Sequence, residues 1–168
     1  MELRKVLGDL AQRIDHIGST AVPGLDAKDR IDIQVSVEGL EQSAEDALSS
    51  IGYTRLEILK DHPPVGLQSP ASQWIKWLFK PPEGQRSTNL HVRINGYPNQ
   101  RYALLFRDYL RQHTATAQAY AELKHRLAEN LSDPETYPDV KDPAVDLIYY
   151  AAEDWAEATT WQPGPSDA

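Results

Sequence analysis

Four polar residues stand on two short stretches whose remaining positions are largely apolar. Asp32 and Gln34 alternate with Ile31, Ile33, Val35 and Val37 in Arg30–Val37, and His91 and Arg93 alternate with Leu90, Val92 and Ile94 in Asn89–Ile94. Alternation with period two places each polar pair on one face of a strand. Aspartate is depleted within strands, so a carboxylate there usually has a partner. If the two strands are neighbours, a carboxylate, an amide, an imidazole and a guanidinium share one patch. Asp32 and His91 are then the pair fit for proton transfer. A sheet face open to water is the plain alternative for Asp32 and Gln34, and a purely structural role for His91.

Two further groups of residues suit an anion. Gly18-Ser19-Thr20 links the first two strands: the glycine allows close backbone approach, the hydroxyls can donate, and free N–H groups in such a turn can hold phosphate oxygens. Ordinary turn chemistry explains the same three residues. Arg107 and Arg111 are four apart, opposite the apolar stripe of Tyr102, Leu105, Phe106, Tyr109 and Leu110. Arginine is suited to bidentate contact with phosphate or carboxylate, which predicts that this polar helix face looks into a cleft. A solvated helix surface with a salt bridge to Asp108 is the rival reading.

The elements that must position these groups follow from periodicity. Leu3, Val6, Leu7, Leu10 and Ile14 mark a first helix, then Ile14–Ile17 a short strand, Arg30–Val37 a strand, and Leu40–Ile51 a helix stopped by Gly52. Tyr53–Leu59, Gln73–Lys80 and Asn89–Ile94 read as strands, with Asp61–Ser72 a loop. Three helices follow, the last opened by Asp142 as N-cap and Pro143 at its first turn. Strands followed by a run of helices imply an α+β fold, a mixed sheet with flanking helices and a C-terminal helical cap. The chain is expected to form one domain over residues 1–159, with the sheet in about 1–96, the cap in about 97–159, and a loose tail at 160–168.

Composition narrows the function classes. The 168 residues contain no cysteine, which excludes disulfides, thiolate metal sites and cysteine nucleophiles. No apolar run reaches the length of a membrane span, and the charged start lacks a signal-peptide core, so a cytoplasmic address and no membrane partner are expected. The net charge of −8 argues against broad nucleic-acid binding. That charge is uneven: Arg86–Arg126 holds seven bases against two acids, a local excess compatible with a small anionic ligand.

Gly18-Ser19 and, with twelve residues between Ser19 and Asp32, Ile31-Asp32-Ile33-Gln34-Val35 resemble the nucleotidyltransferase superfamily signature. More narrowly, His16–Val35 resembles the GrpB family, as do Asn89-Leu90-His91-Val92-Arg93, Leu105–Arg111, Tyr120–Lys124 and Tyr137 with Lys141. These motifs span residues 14 to about 155. The resemblance implies a nucleotidyltransferase-like fold, related to a domain fused to dephospho-coenzyme A kinase in some bacteria. It places Asp32, Gln34 and His91 where active superfamily members carry three carboxylates for two Mg²⁺ ions. With one carboxylate left, two-metal transfer is doubtful. The pair Asp32 and His91 would instead hold a single divalent metal or act as acid and base. Family members usually carry a Pro-x-Trp segment ahead of the first helix. Its absence here implies a bare sheet edge or a homodimer.

The reading that results is a GrpB-type, nucleotidyltransferase-like protein whose cleft binds a nucleotide or another small phosphorylated ligand, with group transfer at Asp32 and His91. Gly18, Ser19 and Thr20 would hold phosphate. Gln34, Lys28, Arg93, Arg107, Arg111, Lys124 and Lys141 are the further ligand-binding candidates. The alternative is a non-catalytic binding or assisting module that retains only the scaffold.

Overall fold

Five strands form one mixed sheet in the order β1-β2-β5-β4-β3 in a computed structural model that describes residues 2–168. The strands are β1 (Arg13–Ile17), β2 (Ile31–Val37), β3 (Thr54–Leu56), β4 (Trp77–Lys80) and β5 (Thr88–Ile94). Only the β2–β5 pair is parallel; β1–β2, β5–β4 and β4–β3 are antiparallel. The helices are α1 (Glu2–Leu7), α2 (Gln42–Ser50), α3 (Pro98–Gln112), α4 (Thr114–Asn130) and α5 (Tyr137–Thr159). The α+β architecture expected from the sequence is present.

The sheet has two unlike faces. Ile14, Val35, Val37, Phe79, Leu90 and Val92 point to one side and pack under α1 and α2 through Leu3, Leu7, Ala44 and Leu48. The other side carries Asp15, Asp32, Gln34, Ser36, His91 and Arg93, and α3 lies across it. A second apolar core joins α3, α4 and α5 through Leu105, Phe106, Tyr109, Leu110, Tyr120 and Tyr149. Helix α3 is therefore covered on both sides: its apolar stripe faces α4 and α5, and its polar stripe faces the sheet.

Several boundaries differ from the sequence reading. Helix α1 ends at Leu7 because Gly8 takes a positive φ of 49° and a 3-10 turn follows. Strand β4 starts at Trp77; Ala71–Trp74 is a 3-10 turn after Pro70. Helix α5 begins at Tyr137 with a proline in its first turn, so Pro143 lies inside it and Asp142 is not its cap. A proline there loses one helical hydrogen bond but does not stop a helix buried through Tyr149, Ala152 and Ala156.

The tail is not loose. Ser166 Oγ accepts from Ile14 N–H at 2.9 Å, Asp167 N–H donates to Ile14 C=O at 3.1 Å, and Asp167 Oδ2 accepts from His16 N–H at 2.9 Å. These bonds run along the outer edge of β1. The edge expected to be bare is covered by this segment, which satisfies backbone groups that would otherwise offer a template for another strand.

Candidate functional site

The parallel β2–β5 pairing sets Asp32 opposite Asn89, Gln34 opposite His91 and Ser36 opposite Arg93. All these side chains therefore rise on the polar face. Asp32 Oδ1 accepts from Asn89 Nδ2 at 2.8 Å and lies 3.5 Å from His91 Nε2. Burial alone would raise the Asp32 pKa, but hydrogen bonds from His91 and Asn89 and the Arg93 charge outweigh it, so the carboxyl sits below its ordinary value. Gly18 packs directly on this carboxylate. Its φ is +71°, and a Cβ there would stand 2.6 Å from Asp32 Oδ2. The glycine of the Gly-Ser turn thus lets the backbone approach Asp32.

His91 is fixed from behind. Its Nδ1 lies 3.5 Å from Lys76 Nζ and 3.4 Å from Arg93 NH2, both of which can only donate. Nδ1 must then be the acceptor, and the ring proton resides on Nε2, facing Asp32. Burial, then the Arg93 charge, pulls the His91 pKa down to about 4, so the ring is neutral at physiological pH. The arrangement offers an ionised carboxylate beside a neutral N–H donor.

Asp61, which the sequence placed in an unpatterned loop, anchors the network. It accepts from Arg93 Nε at 2.8 Å and NH2 at 3.0 Å, from Lys76 Nζ at 2.5 Å and from Asn99 Nδ2 at 3.1 Å. Burial would raise its pKa, but the Arg93 and Lys76 charges hold it well below the usual carboxylate range. Lys76, read as a strand residue, stands just outside β4. Neither residue falls on a periodic stretch, so the sequence offered no signal for them beyond their charge.

The remaining candidates separate into two groups. Gln34 and Arg93 are internal. Gln34 is fully buried, its Oε1 accepting from Arg93 NH1 at 2.7 Å and its Nε2 donating to Gln100 C=O at 3.1 Å. Arg107 is 3 % exposed and spent on His16 C=O, Asp108 and Asp167. Arg111 donates to Ala21 C=O at 2.9 Å and lines neither of the two cavities that meet at Asp32. The expectation that this face of α3 looks into a cleft is corrected: the face is occupied by the sheet and by β1.

Lys28 and Lys124 line one open cavity, and Lys141 lines a second. A cavity of about 390 Å³ is lined by Ser19, Thr20, Lys28, Arg30, Lys124 and Tyr137, and one of about 300 Å³ by His91, Trp74, Tyr102, Phe106 and Lys141. Asp32 borders both. Lys124 Nζ donates to Ser19 Oγ at 3.0 Å and to Asp26 C=O. Burial, then the neighbouring Lys141 charge, lowers its pKa. Lys28 rests over the Tyr137 ring at 4.7 Å. Thr20 Oγ1 is held by His16 Nε2 at 2.8 Å.

A divalent metal on Asp32 and His91 does not suit this donor set. His91 presents a proton toward Asp32, and moving that proton to Nδ1 would set it against Lys76 and Arg93. The Gln34 oxygen is already taken by Arg93. Among the described residues no three His, Asp or Glu side chains group as ligands for a metal ion.

A mixed sheet with one acid beside a Gly-Ser turn, roofed by helices that carry lysines, defines an α+β protein with a polar interhelical cleft. Residues 1–150 match the family model described as GrpB protein, and the chain belongs to the GrpB family. It is similar to a dephospho-CoA kinase of Mycolicibacterium paratuberculosis, 37 % identical over 96 % of this chain but only 44 % of that protein. The chain thus spans less than half the length of that relative. It is also 37 % identical to a UPF0157 protein of Deinococcus radiodurans, over 72 % of this chain and 57 % of the relative. The crystal structure of the conserved protein GrpB from Enterococcus faecalis matches with a TM-score of 0.67 and 29 % identity, covering 91 % of this chain and 88 % of that one. No helix among the described residues is long and apolar enough to cross a membrane.

Proposed function

We propose that the cleft binds a small phosphorylated ligand, a nucleotide or a phosphorylated precursor, with its phosphates in the 390 Å³ cavity. The observation that carries this reading is Lys124. It is half-buried, reaches the Ser19 hydroxyl, forms no ion pair among the described residues, and is held next to a second lysine. Like charges brought together cost free energy that an anion between them recovers. Lys28, Arg30, Ser19 and Thr20 supply further donors at the same wall.

The chemistry at Asp32 follows from its neighbours. An ionised carboxylate oriented by the neutral His91 N–H can accept a hydrogen bond or a proton from a ligand hydroxyl. Nucleotidyltransferase-type transfer driven by two Mg²⁺ does not fit a single carboxylate, Asp32, already bonded by Asn89 and facing the His91 N–H. Binding, rather than two-metal transfer, is therefore the core of the proposal. The dephospho-CoA kinase relative puts coenzyme A precursors first among the ligands to try, and an assisting role inside a longer protein is consistent with the shared 44 %.

Thermal-shift and calorimetric titration with nucleotides, dephospho-coenzyme A and tripolyphosphate test this reading. A phosphorylated ligand at ~100 times its dissociation constant should stabilise the protein by about 2.7 kcal/mol. Lys124→Met should abolish most of that shift. Equal shifts in both proteins, or none with any phosphorylated probe, would sink the proposal.

A further inference from the structure

The second cavity differs in character from the first, although both touch Asp32. Its apolar walls are aromatic. Tyr102 lies nearly parallel to Phe106, 6.2 Å between ring centroids, and meets Trp74 edge-on at 6.3 Å. Its polar groups are mainly acceptors. Asp61 is consumed by Arg93 and Lys76, which leaves Asp32, Asp142 and Asp146 against Lys141 and the His62 and His91 rings on the lining. Lys141 itself stands 3.7 Å from Asp142. Asp146 is buried and uses one oxygen on Val65 N–H at 3.1 Å. Burial and then the Asp146 and Asp142 charges keep the Tyr102 hydroxyl protonated far above its usual range.

One acceptor has no partner. Asn99 lines this cavity at 1 % exposure. Its Nδ2 donates to Asp61 at 3.1 Å and to Ile75 C=O at 2.8 Å, which fixes the amide orientation, and its Oδ1 is the one buried side-chain polar atom without a hydrogen bond among the described residues. An orphaned buried acceptor is costly and calls for a donor.

We infer that the chamber bounded by Trp74, Tyr102, Phe106, Asn99, Asp142 and Asp146 takes the amine-bearing end of the ligand, an N–H donor on an apolar body that lies against the rings. The carboxylates and the Asn99 carbonyl receive the N–H groups, and the aromatic faces receive the body and any positive charge on it. A phosphate is disfavoured in this chamber by Asp142 and Asp146, so the two cavities sort the two ends of one ligand about Asp32. The inference rests on the proposed phosphate site for the ligand's orientation, though the chamber's own chemistry does not depend on it. Two sources present such an amine: the exocyclic amine of a nucleobase and an alkylammonium.

Titration calorimetry of the whole chain with four probes separates these. They are inorganic tripolyphosphate, adenosine triphosphate, purine riboside triphosphate (which lacks only the exocyclic amine) and 1,4-diaminobutane. A nucleobase amine predicts adenosine triphosphate binding about ten-fold more tightly than its amine-free analogue, since the site is then left with unpaired acceptors. An alkylammonium predicts measurable binding of the diamine. Adenosine triphosphate no tighter than its analogue, together with no binding of the diamine, overturns the inference even if tripolyphosphate binds. Failure of tripolyphosphate alone, with the amine preference intact, overturns the phosphate site and leaves the amine chamber standing. Asp146→Asn keeps a carbonyl oxygen for Val65 while removing the charge. It should weaken the amine-bearing probe several-fold at an unchanged melting temperature; unchanged affinity also overturns the inference.

Discussion

The two faces of the sheet solve the same burial problem with opposite chemistry. Under α1 and α2, Val35, Leu48, Phe79, Leu90 and Val92 are excluded from water and need no particular partner. Under α3, Gln34, Ser36, Asn99, Gln100 and Arg93 are equally buried, and nearly every polar atom is matched to a named neighbour. Apolar packing is non-directional and tolerates repacking, whereas a buried polar network is specific because each member depends on the others. The apolar face holds the sheet together. The polar face orients His91 and Asp32 and leaves one acceptor unmatched at the cavity.

The largest expected effect would break the polar face at its hub. Asp61→Ala leaves Arg93 and Lys76 as uncompensated buried charges and should cost about 3–5 kcal/mol in denaturant unfolding. Leu48→Ala on the apolar face should cost about 2–5 kcal/mol. The faces then differ in rescue. Asp61→Leu combined with Arg93→Met and Lys76→Met should regain much of the loss, because all three charges leave together. If the triple variant is as unstable as the sum of its parts, the network is not the coupled unit described here.

The next effect sharpens the contrast through pH. The folded pKa of His91, about 4, lies below the ordinary 6.5 of the free side chain. The unfolded chain therefore binds the proton first as pH falls. Stability from this group is full above pH 6.5 and is lost between about 6.5 and 4, amounting to about 3 kcal/mol. Denaturant midpoints measured across that window should fall in the natural protein and fall less in His91→Asn. Parallel curves would mean the ring is not held neutral by burial and the Arg93 charge.

A smaller effect concerns Gly18. Gly18→Ala meets both a positive φ and the Asp32 carboxylate, whereas Gly84→Ala meets a φ of +82° with nothing within 4 Å. Both should lose about 1–2 kcal/mol from the backbone. Only Gly18→Ala should also weaken phosphorylated ligands, by displacing Asp32. Smallest of all, Ser166→Ala should cost about 1 kcal/mol or less and speed hydrogen exchange at the Ile14 amide, which would otherwise stay protected.

The sequence showed what depends on period and hid what depends on partners. Alternation in Arg30–Val37 and Asn89–Ile94 made the two central strands and the meeting of Asp32 with His91 legible. The polar stripe of α3 was visible too, but not that a sheet would cover it, so Arg107 was placed at a ligand when it serves His16 and Asp167. Asp61 and the residue-167 carboxylate act from segments without periodicity, where spacing carries no information. Pro143 looked like a helix start because its local preference is strong; the helix runs through it because Tyr149, Ala152 and Ala156 bury against α3 and α4.

The segment that closes the outer edge of β1 comes from 152 residues further along the chain. Synthesis proceeds from the N-terminus, so the strand and its antiparallel partner β2 exist as chain long before Ser166 and Asp167 leave the ribosome. Contacts of such sequence separation form late, after the cost of closing a long loop. During that interval the amides of Ile14 and His16 are available to any other extended chain. The growing polypeptide thus passes through a period of vulnerability to strand pairing that lasts until Ser166 and Asp167 have emerged, and chaperone demand should track translation speed across α5 more than the stability of the finished sheet.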